Sequence, residues 1–278
     1  MSTPSPVGVR ATETVRRVEH VMGMPVSLAV RGRHADDARG RDAWAAVLDD
    51  LRRADRVFST YRPDSAISRL GRGEIGLDDC PPEVAEVLDL ADRAERASDG
   101  AFSVRRTGPD GTPVLDPSGV VKGWAAERAA AALRALDDTD FCLSAGGDVL
   151  GRAREQPWRI GIEDPHDPAR VLAVVPIRDG AVATSGTAHR GAHLVDARTG
   201  CPSAGVASVT VVATTLTWAD IDATAAYAHG PEAATWLGHR VGRTGLVVGA
   251  DGTVTTVGGT APCARPGLIG GRAGTARR

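Results

Sequence analysis

Residues 181–200, Ala-Val-Ala-Thr-Ser-Gly-Thr-Ala-His-Arg-Gly-Ala-His-Leu-Val-Asp-Ala-Arg-Thr-Gly, constrain the chain more than any other stretch. Ala181 to Thr184 reads as a short buried strand that runs into Ser185-Gly186, where small residues let a backbone approach a ligand closely. A polar loop with His189 and Arg190 follows, then a second short strand, His193-Leu194-Val195-Asp196, closed by a turn at Arg198-Thr199-Gly200. Small and polar chemistry between two apolar strand cores points to a ligand rim.

The chain has 278 residues, enough to bury a sizeable core in one large domain. A net charge of −2 and an aromatic content of 4% give no basis for nucleic-acid binding. Cys80, Cys142, Cys201 and Cys263 form no pair with zinc spacing, and Cys142 reads as a small buried hydrophobe. No run is long and apolar enough to span a membrane or act as a secretory signal, so a cytoplasmic protein with reduced thiols is expected.

Residues 1–14 and 261–278 read as disordered, leaving one domain over 15–260. Arg17 to Arg31 suggests a strand pair bent at Met22-Gly23-Met24-Pro25. A helical stripe over 36–56 would be capped by Asp36 or Asp37, and Asp64 would cap a short helix from Ala66 to Leu70. The hydroxyl-rich loop between them, with Tyr61 and Arg62, reads as a connector or a ligand rim. A second amphipathic helix covers 81–97. A Gly/Pro-rich connection of low order then leads to Val114.

Ser118-Gly119 and Lys122-Gly123 precede an Ala-rich helix expected from Ala125 to Leu136. Glycine turns before a helix expose N–H groups that favour an anion, although these residues alone favour a plain cap with a solvated lysine. Ala145-Gly146-Gly147-Asp148 suggests close backbone approach to a ligand or another strand. Meander strands follow through 158–162, 171–177 and 181–184, then a strand at 207–213 and a hairpin at 244–257. A helix begins near Thr217, and on it Asp220 and Thr224 stand at i and i+4, one turn apart on one face. A carboxylate and a hydroxyl so related are hard oxygen donors suited to Mg²⁺. The spacing alone favours a simpler reading, a Thr217 cap with Asp220 in the first turn.

Taken in order, Met22-Gly-Met24, residues 58–69 (FSTYRPDSAISR), Gly100-Ala-Phe102, residues 115–124 (LDPSGVVKGW), residues 144–148 (SAGGD), 182–200, and Ala219-Asp220 with Thr224 resemble the FAD:protein FMN transferases, the ApbE-like family, across about residues 16–258. The resemblance implies an α+β fold of mixed or antiparallel sheets flanked by helices around a flavin nucleotide cleft. It implies FAD as substrate, Mg²⁺ on its pyrophosphate, and transfer of FMN to a Ser or Thr hydroxyl of an acceptor protein with release of AMP. By motif, Asp220, Thr224 and the Val121 carbonyl would hold the metal. Met22, Tyr61, Ala101, Phe102, Ser103, Ser118, Trp124 and Leu194 would contact FAD, and His193, with His189 close by, would be the catalytic histidine.

The chain departs from the family at Ser103, where an Asp is usual, at Ser144, where an Asn is usual, and in a segment shortened to 104–114. An FAD pyrophosphatase and a non-catalytic flavin-binding protein are the competing readings. The presence of Asp220, Thr224 and His193 disfavours the second of these.

Overall fold

The computed structural model describes residues 13–108, 111–186 and 195–258. The disorder expected at the two ends, the loop expected to carry His189 and Arg190, and the His193-Leu194 start of the strand expected at 193–196 lie outside the described residues.

The chain opens with a hairpin, β1 (Val15–Val21) and β2 (Met24–Gly32). Its two-residue turn holds Met22 at φ 56° and Gly23 at φ 67°, positive at both positions as in a type I′ turn, so the bend expected here is a tight one. Four helices follow: α1 (Ala38–Phe58), α2 (Ala66–Gly71), α3 (Pro82–Ala97) and, after a small ribbon of β3 (Arg105–Thr107) and β4 (Pro113–Leu115), α4 (Ser118–Ala129). Then come α5 (Ala131–Arg134), β5 (Thr139–Ala145), β6 (Asp148–Arg152), β7 (Trp158–Asp164), β8 (Asp167–Ile177) and β9 (Asp179–Gly186). The last part holds β10 (Val195–Asp196), β11 (Cys201–Pro202), β12 (Val206–Ala213), α6 (Leu216–Ala228), α7 (Ala233–Gly238), β13 (Thr244–Gly249) and β14 (Val254–Val257).

Eight strands form one sheet in the order β1-β2-β5-β6-β9-β12-β13-β14. Every neighbouring pair is antiparallel. Side chains alternate across it, as strand geometry requires. Val26, Leu28, Phe141, Leu143, Leu150, Ala181, Ala183, Val209 and Val211 join the helices in the main core. Val182, Ala207, Leu246 and Val248 point the other way and pack beneath the β7–β8 ribbon, with Ile162, Ala173 and Ile177. Both faces of the β9–β12–β13 half are therefore covered, which accounts for its nearly continuous apolar runs.

Several local expectations change. Asp37 caps α1 by accepting from the Gly40 amide, but Ser65, not Asp64, caps α2, accepting from the Ser68 amide at 3.1 Å. The connection at 104–114 is a paired hairpin, its strands in register from Arg105↔Leu115 to Thr107↔Pro113. The largest difference is α4, which starts at Ser118 and not at Ala125, so Gly119 and Gly123 are helical residues and not a turn. Their lack of a side chain serves helix packing. A Cβ on Gly123 would lie 2.8 Å from both Asp220 Cβ and the Leu216 carbonyl oxygen, and one on Gly119 would lie 2.9 Å from Phe102 Cε2. Gly123 lets α4 lie directly on α6, and Gly119, one turn before it, makes room for the Phe102 ring.

Candidate active site

The α4–α6 contact places a carboxylate, a lysine and a hydroxyl over the helix side of the sheet, where β9 supplies a second hydroxyl. Asp220 belongs to the second turn of α6, because the helix starts at Leu216 with Thr215 at its N-cap. It is 2% exposed, and its charge has no help from the helix terminus. Asp220 Oδ2 instead accepts from the Gly123 amide at 2.9 Å, and Oδ1 lies 3.1 Å from Lys122 Nζ. The first-turn capping role is thereby replaced by a contact between two helices.

Lys122 reaches a second carboxylate, Asp148 Oδ2, at 2.5 Å. Asp148 opens β6 and shares the core-facing side of that strand with Leu150, two residues on. Its Oδ1 accepts from the Thr184 amide at 3.0 Å, in β9. Among the described residues Asp148 Oδ2 has no hydrogen-bond partner beyond its ion pair with Lys122. The next residue on β9, Ser185, faces the helices, and its hydroxyl lies 3.0 Å from that of Thr224. Asp220 and Thr224 being one turn apart, the contacts close a ring: Asp220, Lys122, Asp148, β9 at Thr184–Ser185, and Thr224.

Burial dominates the protonation of this ring. It pushes Asp220 up to about 7, opposed by the nearby Lys122 ammonium and reinforced by the Asp148 carboxylate. Burial works against the charge on Lys122, but the two carboxylates together hold its pKa above the ordinary lysine value. The ammonium therefore stays charged, and the cluster is one cation between two acids.

Such a group fits a divalent cation by its donors. Asp220 offers a hard carboxylate, Thr224 a hydroxyl, and Asp148 Oδ2 is a buried acceptor without a directed donor. Among the described residues no three His, Cys, Asp or Glu side chains group as a metal cage, so oxygen from hydroxyls, backbone and water would complete the shell.

The other expected site residues separate into groups. Val121 precedes Lys122 on α4 and is buried, while Ser118 is exposed at the start of that helix. Phe102 stands against Gly119, and a Cβ there would also lie 3.9 Å from Thr224 Cγ2, so the ring and the metal-type donors meet. Ala101 is fully buried and accepts from the Ala197 amide at 3.0 Å, which ties this segment to β10. The Ser103 hydroxyl donates to Glu95 Oε2 or the Arg105 carbonyl, each at 3.1 Å. Met22 occupies the β1–β2 turn, next to the Gly146-Gly147 turn, because Val26 pairs with Ala145 and Pro25 O accepts from Gly146 N. Trp124 lies on the side of α4 toward α1 and α3: its ring meets Phe58 edge-on at 5.4 Å and its indole N–H donates to Glu86 at 2.9 Å. Tyr61 is 96% exposed on the connector before α2.

Asp148 and Ser185 lay outside the expected side-chain set, being read as points of backbone approach. The signal was present in the strand period: Asp148 and Leu150 alternate onto the core side, and a carboxylate there requires a cation. Ser185 similarly alternates with Ala181 and Ala183.

An antiparallel α+β fold thus carries a lysine-bridged carboxylate pair beside two hydroxyls where α4, α6, β6 and β9 meet. A model of the ApbE family matches residues 22–108 and 106–246, and the chain belongs to that family. A Rhodobacter capsulatus protein named FAD:protein FMN transferase is 34% identical over 172 residues, 55% of this chain and 32% of that protein. The chain thus spans about a third of that relative. An Escherichia coli K12 protein of the same name is 25% identical across 86% of this chain and 85% of its own length. Among solved structures, the ApbE protein of Thermotoga maritima superposes with a TM-score of 0.77 at 22% identity, covering 88% of this chain and 97% of that one. The Pseudomonas stutzeri flavinyl transferase ApbE gives 0.75 at 21%, covering 88% and 95%. At these identities the structures establish the fold, α+β with an antiparallel sheet flanked by helices.

Proposed function

We propose that this chain transfers FMN from FAD to a Ser or Thr hydroxyl of an acceptor protein, with Mg²⁺ as cofactor and AMP as the second product. The observation that carries this reading is the ring joining Asp220, Lys122, Asp148, Ser185 and Thr224, held in a chain of the ApbE family. In the reaction the acceptor oxygen bonds to the phosphorus on the riboflavin side of FAD. The bond from that phosphorus to the bridging oxygen breaks, the hydroxyl proton leaves, and AMP departs with the bridging oxygen. Phosphoryl transfer of this kind depends on positioning and charge neutralisation.

Asp220 and Thr224 would hold Mg²⁺, with the Val121 carbonyl as a third donor. The ion supplies neutralisation of pyrophosphate charge. Lys122 keeps its positive charge between Asp148 and Asp220 and so would hold the Asp220 carboxylate in position for the ion. Phe102 and the Ala101 backbone, with Met22, Tyr61, Ser103, Ser118, Trp124 and Leu194, are the proposed FAD contacts. His193 is the proposed proton acceptor for the attacking hydroxyl, a role that suits an imidazole near neutral pH.

The test combines the protein, FAD, Mg²⁺ and an acceptor domain, followed by a denaturing gel and chromatography. A fluorescent acceptor band that matches AMP one for one and vanishes with chelator supports transfer. AMP with free FMN and no labelled acceptor would instead establish the pyrophosphatase.

A further inference from the structure

Helices α4 and α6 run in opposite directions, and their contacts form a ladder with one rung per turn. Gly119 stands near Thr224, Gly123 against Asp220, and Glu127 against Leu216, so that each step of four residues up α4 is a step of four down α6. The first two rungs belong to the site already described. The third lies outside it.

At the third rung Glu127 Oε2 accepts from the Leu216 amide at 2.6 Å. The first amides of a helix have no partner within it, and an N-cap side chain commonly supplies one. Thr215 holds the N-cap of α6 but makes no such bond. Leu216 is fully buried, so its amide depends on an acceptor from the protein. Glu127 supplies it from another helix, and a carboxylate at that end also suits the helix dipole. Its second oxygen, Oε1, lies 3.0 Å from Arg134 Nη2 on α5, and the two side chains are only 21% and 30% exposed. The arm is thus held at both oxygens.

The second and third rungs are reciprocal. α4 gives the Gly123 amide to a carboxylate of α6, and α6 gives the Leu216 amide to a carboxylate of α4. One such bond lets a helix tilt or slide about it. Two bonds separated by four residues, about 6 Å along the axis, set how one helix lies on the other. Asp220 and Thr224 follow Leu216 by one and two turns on the helix so anchored. We infer that Glu127 is a positioning residue: its carboxylate sets the register of α6 on α4 and thereby places Asp220 and Thr224. That these two side chains hold Mg²⁺ rests on the transfer reading above; the setting of their place does not.

The test compares the full wild-type chain with Glu127→Ala, with Glu127→Gln, which keeps an oxygen acceptor for the Leu216 amide, and with Asp37→Ala. The last removes the carboxylate that accepts from the Gly40 amide at the start of α1, and so is the same kind of loss on a different helix. Hydrogen exchange of the Gly123 amide, read by NMR, reports the neighbouring rung, with the Leu51 amide in the buried stripe of α1 as reference for opening of the whole chain. Calorimetry with Mg²⁺ alone reads the donors. In Glu127→Ala the Gly123 amide should exchange several-fold faster relative to Leu51, and Mg²⁺ should bind several-fold more weakly. Glu127→Gln should restore both, and Asp37→Ala should alter neither. Should Glu127→Ala not fold, Glu127→Asp, which keeps the charge on a shorter arm, is read in the same way. Unchanged Gly123 exchange in Glu127→Ala, no rescue by Glu127→Gln, or an equal effect of Asp37→Ala would overturn the inference. A wild-type chain that binds no Mg²⁺ while Glu127→Ala still frees the Gly123 amide refutes the metal assignment and leaves the positioning intact. Mg²⁺ bound alike by every variant, with Gly123 exchange unmoved, does the reverse.

Discussion

The Gly123 amide donates to Asp220 Oδ2 at 2.9 Å, across a helix contact where neither residue has room to move. This bond makes the site a product of packing. Adding a methyl group in Gly123→Ala places a Cβ 2.8 Å from both Asp220 Cβ and the Leu216 carbonyl. Overpacking of this kind costs about 1–3 kcal/mol, against about 1 kcal/mol gained from helix propensity. The obstacles lie close to or on the backbone, so a net loss of roughly 1–2 kcal/mol in urea unfolding is expected, together with weaker Mg²⁺ binding by calorimetry. Unchanged stability and metal affinity would show that α4 and α6 separate freely.

Asp220 gives the metal-free protein a pH dependence of defined sign. Its pKa is 3.8 in ordinary surroundings and about 7 when folded, so between those values the folded chain holds a proton that the unfolded chain has lost. Its contribution to stability is complete below the lower value and disappears as pH rises through the upper one. Wild-type urea midpoints should therefore fall relative to Asp220→Asn across that window. Mg²⁺ affinity should rise over the same range in wild type and be lost in the variant. A wild-type-minus-variant difference that is flat with pH, or metal binding retained by Asp220→Asn, would remove Asp220 from the role.

Asp222, two residues further along α6, points to different partners. It is 1% exposed and accepts from Arg240 at 3.0 Å and Arg243 at 2.6 Å. Asp222→Ala leaves two partly buried guanidinium groups unpaired, a loss of roughly 3 kcal/mol. Its folded fraction should retain Mg²⁺ binding. Loss of metal affinity at undiminished stability would reverse this assignment.

Met22 has φ 56° in a turn that favours Asn-Gly. Met22→Asn should raise stability by roughly 1 kcal/mol, the strain of a left-handed side-chain residue. It should also weaken FAD binding, read by flavin fluorescence. Stability and affinity moving together would count against a flavin contact at this position.

The sequence was most legible where one period governed a long element. The stripe of α1, the hairpins at Asp251-Gly252 and Met22-Gly23, and the i, i+4 pair of Asp220 and Thr224 all followed from local pattern. It was least legible where small residues had two explanations. Gly119 and Gly123 suggested an anion-binding turn, yet close helix packing asks for the same residue type. Lys122 read as a phosphate ligand or a solvated cap because its partners, Asp148 and Asp220, lie 26 and 98 residues away. Trp124 and Phe102, both large and aromatic, could not be sorted by local pattern: one meets Phe58 and Glu86, the other Gly119.

The β3–β4 hairpin forms a sheet of its own, and its strands contribute no hydrogen bonds to the eight-stranded sheet. Arg105, Arg106 and Val114 on it are exposed. Its base is fixed by Asp116 N on the Val104 carbonyl at 2.8 Å, and its two strands pair in register with each other. Length in this segment is consequently a variable that can drift without any compensating change in the scaffold. A longer segment grafted between Val104 and Asp116 should therefore leave the pairing of the eight-stranded sheet unchanged.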